Sequence, residues 1–350
     1  MKTFEELTKL GKLRRNKKIA LQALARYDLV QPNLRLVTDT GNITYRVKAN
    51  EPDNHHGDLY TENCYTLRLH QPHYQTTTMI ESELEWLSEL SNAGLPVPKP
   101  IPTIEGELSI DVEVSDAPAR RCSLLRWVKG RMVKEAKPWH MKAMGKLIGL
   151  LHKSAANWKP SVGFTRRHYD GNGLWGDDTG VGYKASEVLP YLPETYSDDF
   201  YRVTSRLEAV MDEWGKDPDV YGLIHADLGT EANVLFHKGE ARAIDFDDSG
   251  YGYWLYDLTT PLYDWEGDEN WHVFRDALIA GYTDIRPLMP EYLEMLELFQ
   301  AAHAVLEVFW GTALTIGNPD SSYWLERREK ACKHIKTYLK ENPEIDPIRK

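Results

Sequence analysis

The residues of this chain best suited to chemistry lie in one short stretch. Leu223-Ile224-His225-Ala226-Asp227 comes first, then Asn233, then Ile244-Asp245-Phe246-Asp247-Asp248. Phosphoryl transfer needs a carboxylate to orient the attacking hydroxyl and take its proton. It also needs hard oxygen donors to hold a divalent ion against the phosphates. Asp227 suits the first task, and Asn233 and Asp245 suit the second. Tyr221–Ile224 and Val234–Phe236 read as short strands, Lys238-Gly239 as a turn, and Ala241–Phe246 as the return strand. That hairpin would carry the carboxylates to one end. Turn capping explains one such aspartate, but not two with Asn233 between them.

The combination is more informative than its parts. It resembles the catalytic and metal loops of protein kinases, written H-R-D-x-x-x-x-N and D-F-G. It is still more similar to the aminoglycoside phosphotransferase family, which includes choline and type II homoserine kinases. That family commonly reads His-Gly-Asp, then Asn-Val-Leu, then Ile-Asp-Phe-Asp-Asp and Tyr-Asp-Leu. Here the order is His225-Ala226-Asp227, Asn233-Val234-Leu235, Ile244-Asp245-Phe246-Asp247-Asp248 and Tyr256-Asp257-Leu258. Upstream, Gly41–Val47 resembles the loop and strand over the phosphates, which implies a nucleotide contact at Asn42. Thr66–His70 resembles the strand whose basic residue, here Arg68, reaches the α- and β-phosphates. Glu83 matches its helix partner, with Glu81 and Glu85 as alternatives. Ser123–Val128 resembles the hinge beside adenine, which implies contacts from Arg126 and Trp127. Gly145–His152 resembles the first long helix of the C-lobe. The similarity runs from about Gly41 to Asp264.

The resemblance implies a protein-kinase-like, two-lobed α+β fold. Residues 1–127 form the β-rich N-lobe, the hinge lies near 124–129, and 128–350 form a mainly helical C-lobe. It implies ATP and Mg²⁺ as cofactors, Asp227 as the catalytic base, and Asn233 and Asp245 as metal ligands. The sequence departs from the family pattern twice. Arginine stands at position 68 in place of lysine, and it offers phosphate a planar fork instead of a point charge. Five residues separate Asp227 from Asn233 where the pattern has four. Either Gly229 lets the loop bulge, or Glu231 approaches the metal.

Other residues have weaker claims. His225 and Asp257 read as supports of the catalytic loop. Asp247 is a candidate second metal or substrate contact. Asp264, Trp265 and Glu266 are candidates for an amine-bearing acceptor, with Trp265 offering cation–π stacking. Trp310, near Glu307, either lines the same site or fills the helical core. His55-His56 sits in a polar loop and reads as solvated. No protein-kinase Ala-Pro-Glu segment follows Asp-Phe-Asp, so the expected acceptor is a small hydroxylated metabolite or antibiotic. Amino alcohols, hydroxy-amino acids and aminoglycoside-like sugars fit that description. The rival reading is a non-catalytic nucleotide-binding pseudokinase. A metal-dependent hydrolase would need a second histidine cluster that the sequence lacks.

The elements that must position these groups fall into two unlike halves. Ile43-Tyr45-Val47 and Cys64–His70 alternate as strands, and Ile80, Leu84, Leu87 and Leu90 mark one helix face, stopped by Gly94. Asn50–Asn63 reads as a long loop. Helices are expected over Met141–His152, Phe200–Trp214, Glu291–Phe309 and Trp324–Leu339. The chain has 350 residues, and 42 basic against 53 acidic side chains give a net charge of −11. That balance disfavours nucleic acid and anionic membranes as partners. No apolar run approaches a membrane span, and three scattered cysteines argue against a disulfide framework. The expected location is the cytoplasm. Oligomeric state is open.

Overall fold

The structure is a computed structural model that describes all residues except 1, 2, 5, 40, 51–56, 180–182, 264, 317–320 and 344–350. Asp264 and His55-His56 therefore lie outside the described residues. The chain divides into two compact units. The first holds residues Met1–Arg131, Pro160–Thr165 and Arg242–Asp247, and the second holds the remainder.

The first unit opens with helix α1 (Lys9–Leu24), capped by the Thr8 hydroxyl, which accepts from the Gly11 N–H. An antiparallel sheet follows: β1 (Asn33–Thr38), β2 (Ile43–Lys48), β3 (Tyr60–Leu69), β4 (Pro100–Ile101), β5 (Ser109–Val114) and β6 (Ala117–Val128). The strand order is β1-β2-β3-β6-β4, and β5 also pairs with β6. The apolar positions of the alternating strands bury Tyr45, Val47, Leu67, Leu69, Cys122 and Leu124 with Ile19 and Ala23 of α1. Helix α2 (Thr77–Asn92) buries Ile80, Leu84, Leu87 and Leu90, as its periodicity predicts. It ends at Gly94, whose φ of +79° a residue with a Cβ would adopt only at a cost.

The second unit is mainly helical. Its first elements are α3 (Pro138–Asn157), β7 (Arg167–Tyr169), α4 (Gly171–Trp175), α5 (Ala185–Val188), α6 (Glu194–Trp214), β8 (Tyr221–Ile224) and β9 (Val234–His237); β10 (Glu240–Ala243) starts in this unit and its last two residues belong to the first. Then come β11 (Gly250–Tyr253), α7 (Trp254–Tyr263), α8 (Trp271–Thr283), α9 (Pro290–Glu294), α10 (Leu296–Ile316) and α11 (Ser322–Glu341). Strand β11 runs parallel to β7 and antiparallel to β8. Gly145 of α3 and Gly281 of α8 let these helices meet closely, since a Cβ at either would strike a backbone carbonyl of the other helix.

The predicted helices extend further than their apolar patterns. The expected Glu291–Phe309 helix resolves into α9 and α10. The expected return strand over Ala241–Phe246 stops at Ala243, because Asp245 takes φ +64° and cannot continue a β-ladder. Among the described residues, no helix is long and apolar enough to cross a membrane.

Candidate active site

Within the first unit, the charged centre is Arg68. Strand alternation sends Arg68 to the face opposite Leu67 and Leu69, where α2 covers it. Arg68 is buried, and Glu83 of α2 is fully buried. The guanidinium donates through Nη1 to Glu83 Oε1 at 2.6 Å and through Nη2 to Asp245 Oδ1 at 3.0 Å. Burial opposes the charge on Arg68. The carboxylates of Glu83, Asp245 and Asp247 more than offset that cost and hold its pKa above the ordinary value. The alternatives to Glu83 are engaged elsewhere: Glu81 meets Arg121 at 2.9 Å, and Glu85 accepts from the Ser161 N–H at 2.8 Å.

Asp245 is anchored by its neighbours as well. Phe246 is buried, edge-on to Trp86 at 5.4 Å. Asn42 Nδ2 donates to Asp247 Oδ2 at 2.7 Å, while Asn42 Oδ1 accepts from the Gln71 N–H at 2.9 Å. Gln75 Nε2 donates to the Asp247 carbonyl. Asn42, in the β1–β2 connection, thus ties that turn and the loop after β3 to the segment carrying Asp245. The sequence reading assigned neither Asn42 nor Asp247 this partner, because 205 positions separate them.

Within the second unit, the catalytic-loop candidate hangs from Asp257 near the start of α7. Asp257 and His152 are fully buried. Asp257 accepts from the His225 N–H at 3.1 Å and the Ala226 N–H at 2.7 Å, and its Oδ2 lies 3.0 Å from His152 Nε2. Burial alone would raise the Asp257 pKa. The His152 hydrogen bond and the loop donors outweigh it, so the carboxyl lies below its ordinary value. Burial pushes the His152 pKa down, leaving a neutral ring that donates to the carboxylate. Its Nδ1 sits 3.0 Å from the Tyr282 hydroxyl.

This anchor holds Ala226 at φ +70°, a left-handed conformation costing an alanine about 1–2 kcal/mol. The turn it imposes leaves Asp227 exposed while Ala226 and Leu228 on either side are buried. Asn233 donates through Nδ2 to Asp227 Oδ2 at 2.6 Å and to the Asp227 carbonyl at 2.9 Å. The extra residue in the loop is taken up in a tight turn, with the Gly229 N–H on the Ala232 carbonyl at 3.0 Å. Glu231 is exposed in that turn. Beyond the metal-loop candidate, Arg167 pairs with Asp248 at 3.0 Å and Arg166 Nε donates to the Ser249 carbonyl at 2.7 Å.

The remaining candidates separate. Arg126 is buried in β6, its guanidinium 5.5 Å from the Tyr60 ring and 5.1 Å from the Tyr65 ring. Trp127 is half-buried beneath Arg46 at 4.9 Å. Trp265 Nε1 donates to Thr230 Oγ1 of the catalytic-loop candidate at 3.3 Å. Glu266 meets His334 of α11. Trp310 is half-buried and meets Tyr183 edge-on at 6.2 Å, so it does not simply fill the core. The sequence reading gave no role to His152, although it ends the recognised segment Gly145–His152. A histidine closing an apolar helix face was the available signal.

Residues 39–298 match the profile described as the phosphotransferase enzyme family. Amicoumacin kinase of Bacillus subtilis (strain 168) is 27% identical over 265 residues, covering 73% of this chain and 69% of that protein. Homoserine kinase of Chelativorans sp. (strain BNC1) is 28% identical over 275 residues, covering 75% and 78%. Among solved structures, a microcompartment-associated aminopropanol kinase superposes with a TM-score of 0.76 at 26% identity, covering 93% of this chain and 98% of that one. An amicoumacin kinase in complex with AMP-PNP and Ca²⁺ shares the fold with a TM-score of 0.73 at 22% identity, covering 95% and 96%.

Proposed function

Because this chain belongs to the phosphotransferase enzyme family, we propose that it moves the γ-phosphate of ATP, with Mg²⁺, to a hydroxyl of a small amine-bearing metabolite. Amino alcohols and hydroxy-amino acids are the favoured acceptors, since the relatives include an aminopropanol kinase and homoserine kinases. The observation that carries the reading is Asp227: an exposed carboxylate on a strained loop, oriented by Asn233 and hung from the buried Asp257.

Each residue has a proposed part. Asp227 orients the acceptor hydroxyl and takes its proton, a role worth about 10²–10⁴ in rate. Arg68, held by Glu83 through Nη1, pairs with the α- and β-phosphates as a charged donor. The Asn233 amide oxygen and the Asp245 carboxylate are hard donors of the kind Mg²⁺ takes, and both side chains reach solvent. When bound, the ion neutralises charge on the phosphates. Residues 1–127 carry the nucleotide-facing elements, with Asn42, Arg126 and Trp127 as nucleotide contacts, and 128–350 carry the acceptor elements. Trp265 and Glu266 are proposed to stand at the acceptor side, with Trp265 fixed to the catalytic loop through Thr230.

The test is a mass-spectrometric screen for phosphate added to amino alcohols, hydroxy-amino acids and aminoglycosides, run with Mg·ATP beside an Asp227→Ala control. Product from the wild type alone is the expected result. Nucleotide binding without product on any acceptor would favour the pseudokinase instead.

A further inference from the structure

Helix α10 carries a carboxylate that the roles above leave unused. His303 and Glu307 lie one turn apart and share a helix face. His303 stacks on Tyr256 with ring centroids 4.0 Å apart, and its Nε2 lies 3.0 Å from the Tyr256 carbonyl oxygen. Tyr256 directly precedes Asp257, the anchor of the catalytic loop. This face of α10 is therefore laid against the support of Asp227. The buried Tyr256 phenol senses the same neighbourhood. Burial first, then the nearby Tyr169, Asp227, Glu307 and Asp257, raise its pKa well above the ordinary value. Trp310, three residues beyond Glu307, faces Tyr183.

Glu307 already holds a cation. Arg327 of α11 donates through Nε to Glu307 Oε2 at 2.7 Å and through Nη2 to Oε1. Its Nη1 donates to the Tyr323 hydroxyl at 3.0 Å. The guanidinium lies 5.6 Å from the Tyr323 ring and 5.8 Å from the Trp324 ring. A carboxylate facing aromatic rings is how proteins hold organic cations. Yet the Arg327 side chain is 43% exposed, so this pair opens at less cost than a buried one.

We propose that Glu307 takes the ammonium group of the acceptor, and that Arg327 is a resident cation occupying Glu307 until the acceptor arrives. The proposal rests on the kinase reading and deepens it by naming the residue that selects amine-bearing acceptors. Binding exchanges one cation for another, so Glu307 is never left uncompensated. An uncharged alcohol offers nothing in exchange for a two-pronged guanidinium, and that difference is the source of selectivity. The released guanidinium is then available to an acceptor carboxylate.

The experiment measures calorimetric binding of amino alcohols, and of diols with the same carbon skeletons, to the wild type, Glu307→Gln and Arg327→Gln. Thermal unfolding confirms that each variant is folded. Wild type is expected to bind amino alcohols and not diols. Glu307→Gln should weaken amine binding at least tenfold, while Arg327→Gln should keep or tighten it, because the competing cation is gone. If both variants weaken binding alike, Glu307 is only the structural partner of Arg327 and the proposal falls. It also falls if Glu307→Gln binds amines as wild type does, or if wild type binds no amine. Phosphate incorporation is followed separately. Phosphorylation of uncharged alcohols by wild type, without amine binding, would keep the kinase and overturn this role for Glu307.

Discussion

Two exposed aspartates in this molecule are held in opposite ways. Asp245 is gripped through its side chain, by a guanidinium that a fully buried glutamate fixes in place. Asp227 is gripped through the main chain on its N-terminal side, by a buried carboxylate that takes the N–H groups of the two preceding residues. Asn233 then meets the Asp227 carboxylate with a neutral amide donor. The difference suits the proposed chemistry. A ligand for Mg²⁺ gains from a fixed counter-charge that sets its direction. A base must be aimed without having its charge cancelled, and a neutral donor on a rigid backbone does that.

The comparison can be broken at its supports. Asp257→Ala should have the largest effect, because it removes three hydrogen bonds to a buried charge at once. We expect a loss on the order of 5 kcal/mol by urea unfolding, together with loss of turnover. Arg68→Met should cost less, about 3–4 kcal/mol, by leaving Glu83 buried without its counter-charge. Adding Glu83→Leu should recover most of that stability but none of the nucleotide binding. Recovery of both would remove Arg68 from the site.

Acid should separate the two regions next. Burial lowers the pKa of His303 and of His334 to about 4, and both belong to the helical unit. Their folded pKa values lie below the unfolded value of about 6.5, so the unfolded chain binds more protons in between. Stability contributed by these rings is full above pH 6.5 and is lost as the pH falls toward 4, by up to about 3 kcal/mol for each ring. Hydrogen exchange at pH 5 and pH 7.5 should show α10 and α11 loosening first, and His303→Gln should flatten the dependence. The smallest effect concerns the strained turn. Ala226→Gly should raise stability by up to about 1 kcal/mol and preserve turnover, since glycine adopts φ +70° without a Cβ clash. A marked fall in turnover would mean that the strain itself aims Asp227.

The candidate site was legible where function forces rare residue types into short spacings. His225-Ala226-Asp227, Asn233 and the run from Ile244 to Asp248 announce their chemistry without a fold. The pairing of Arg68 with Glu83 was legible too, through the resemblance of Thr66–His70 and of the α2 glutamate to the family's strand and helix. What was not legible is long-range. Neither Asn42 nor Asp247 signals a partner 205 residues away, and nothing in the sequence matches Glu307 to Arg327. Elements without strong periodicity, such as α1, β5 and β7, also escaped, since they become regular only by packing on neighbours.

The sequence by itself therefore determined the kind of chemistry and the elements that bear it, because both follow from side-chain type and local period. The tertiary structure decided which groups are buried, and so which charges are fixed. Glu83 is a surface helix residue until α2 covers β3, and Asp257 is an ordinary helix-start aspartate until His152 and the loop close over it. Burial is a property of the whole packing, and it converts those two carboxylates from solvated charges into anchors.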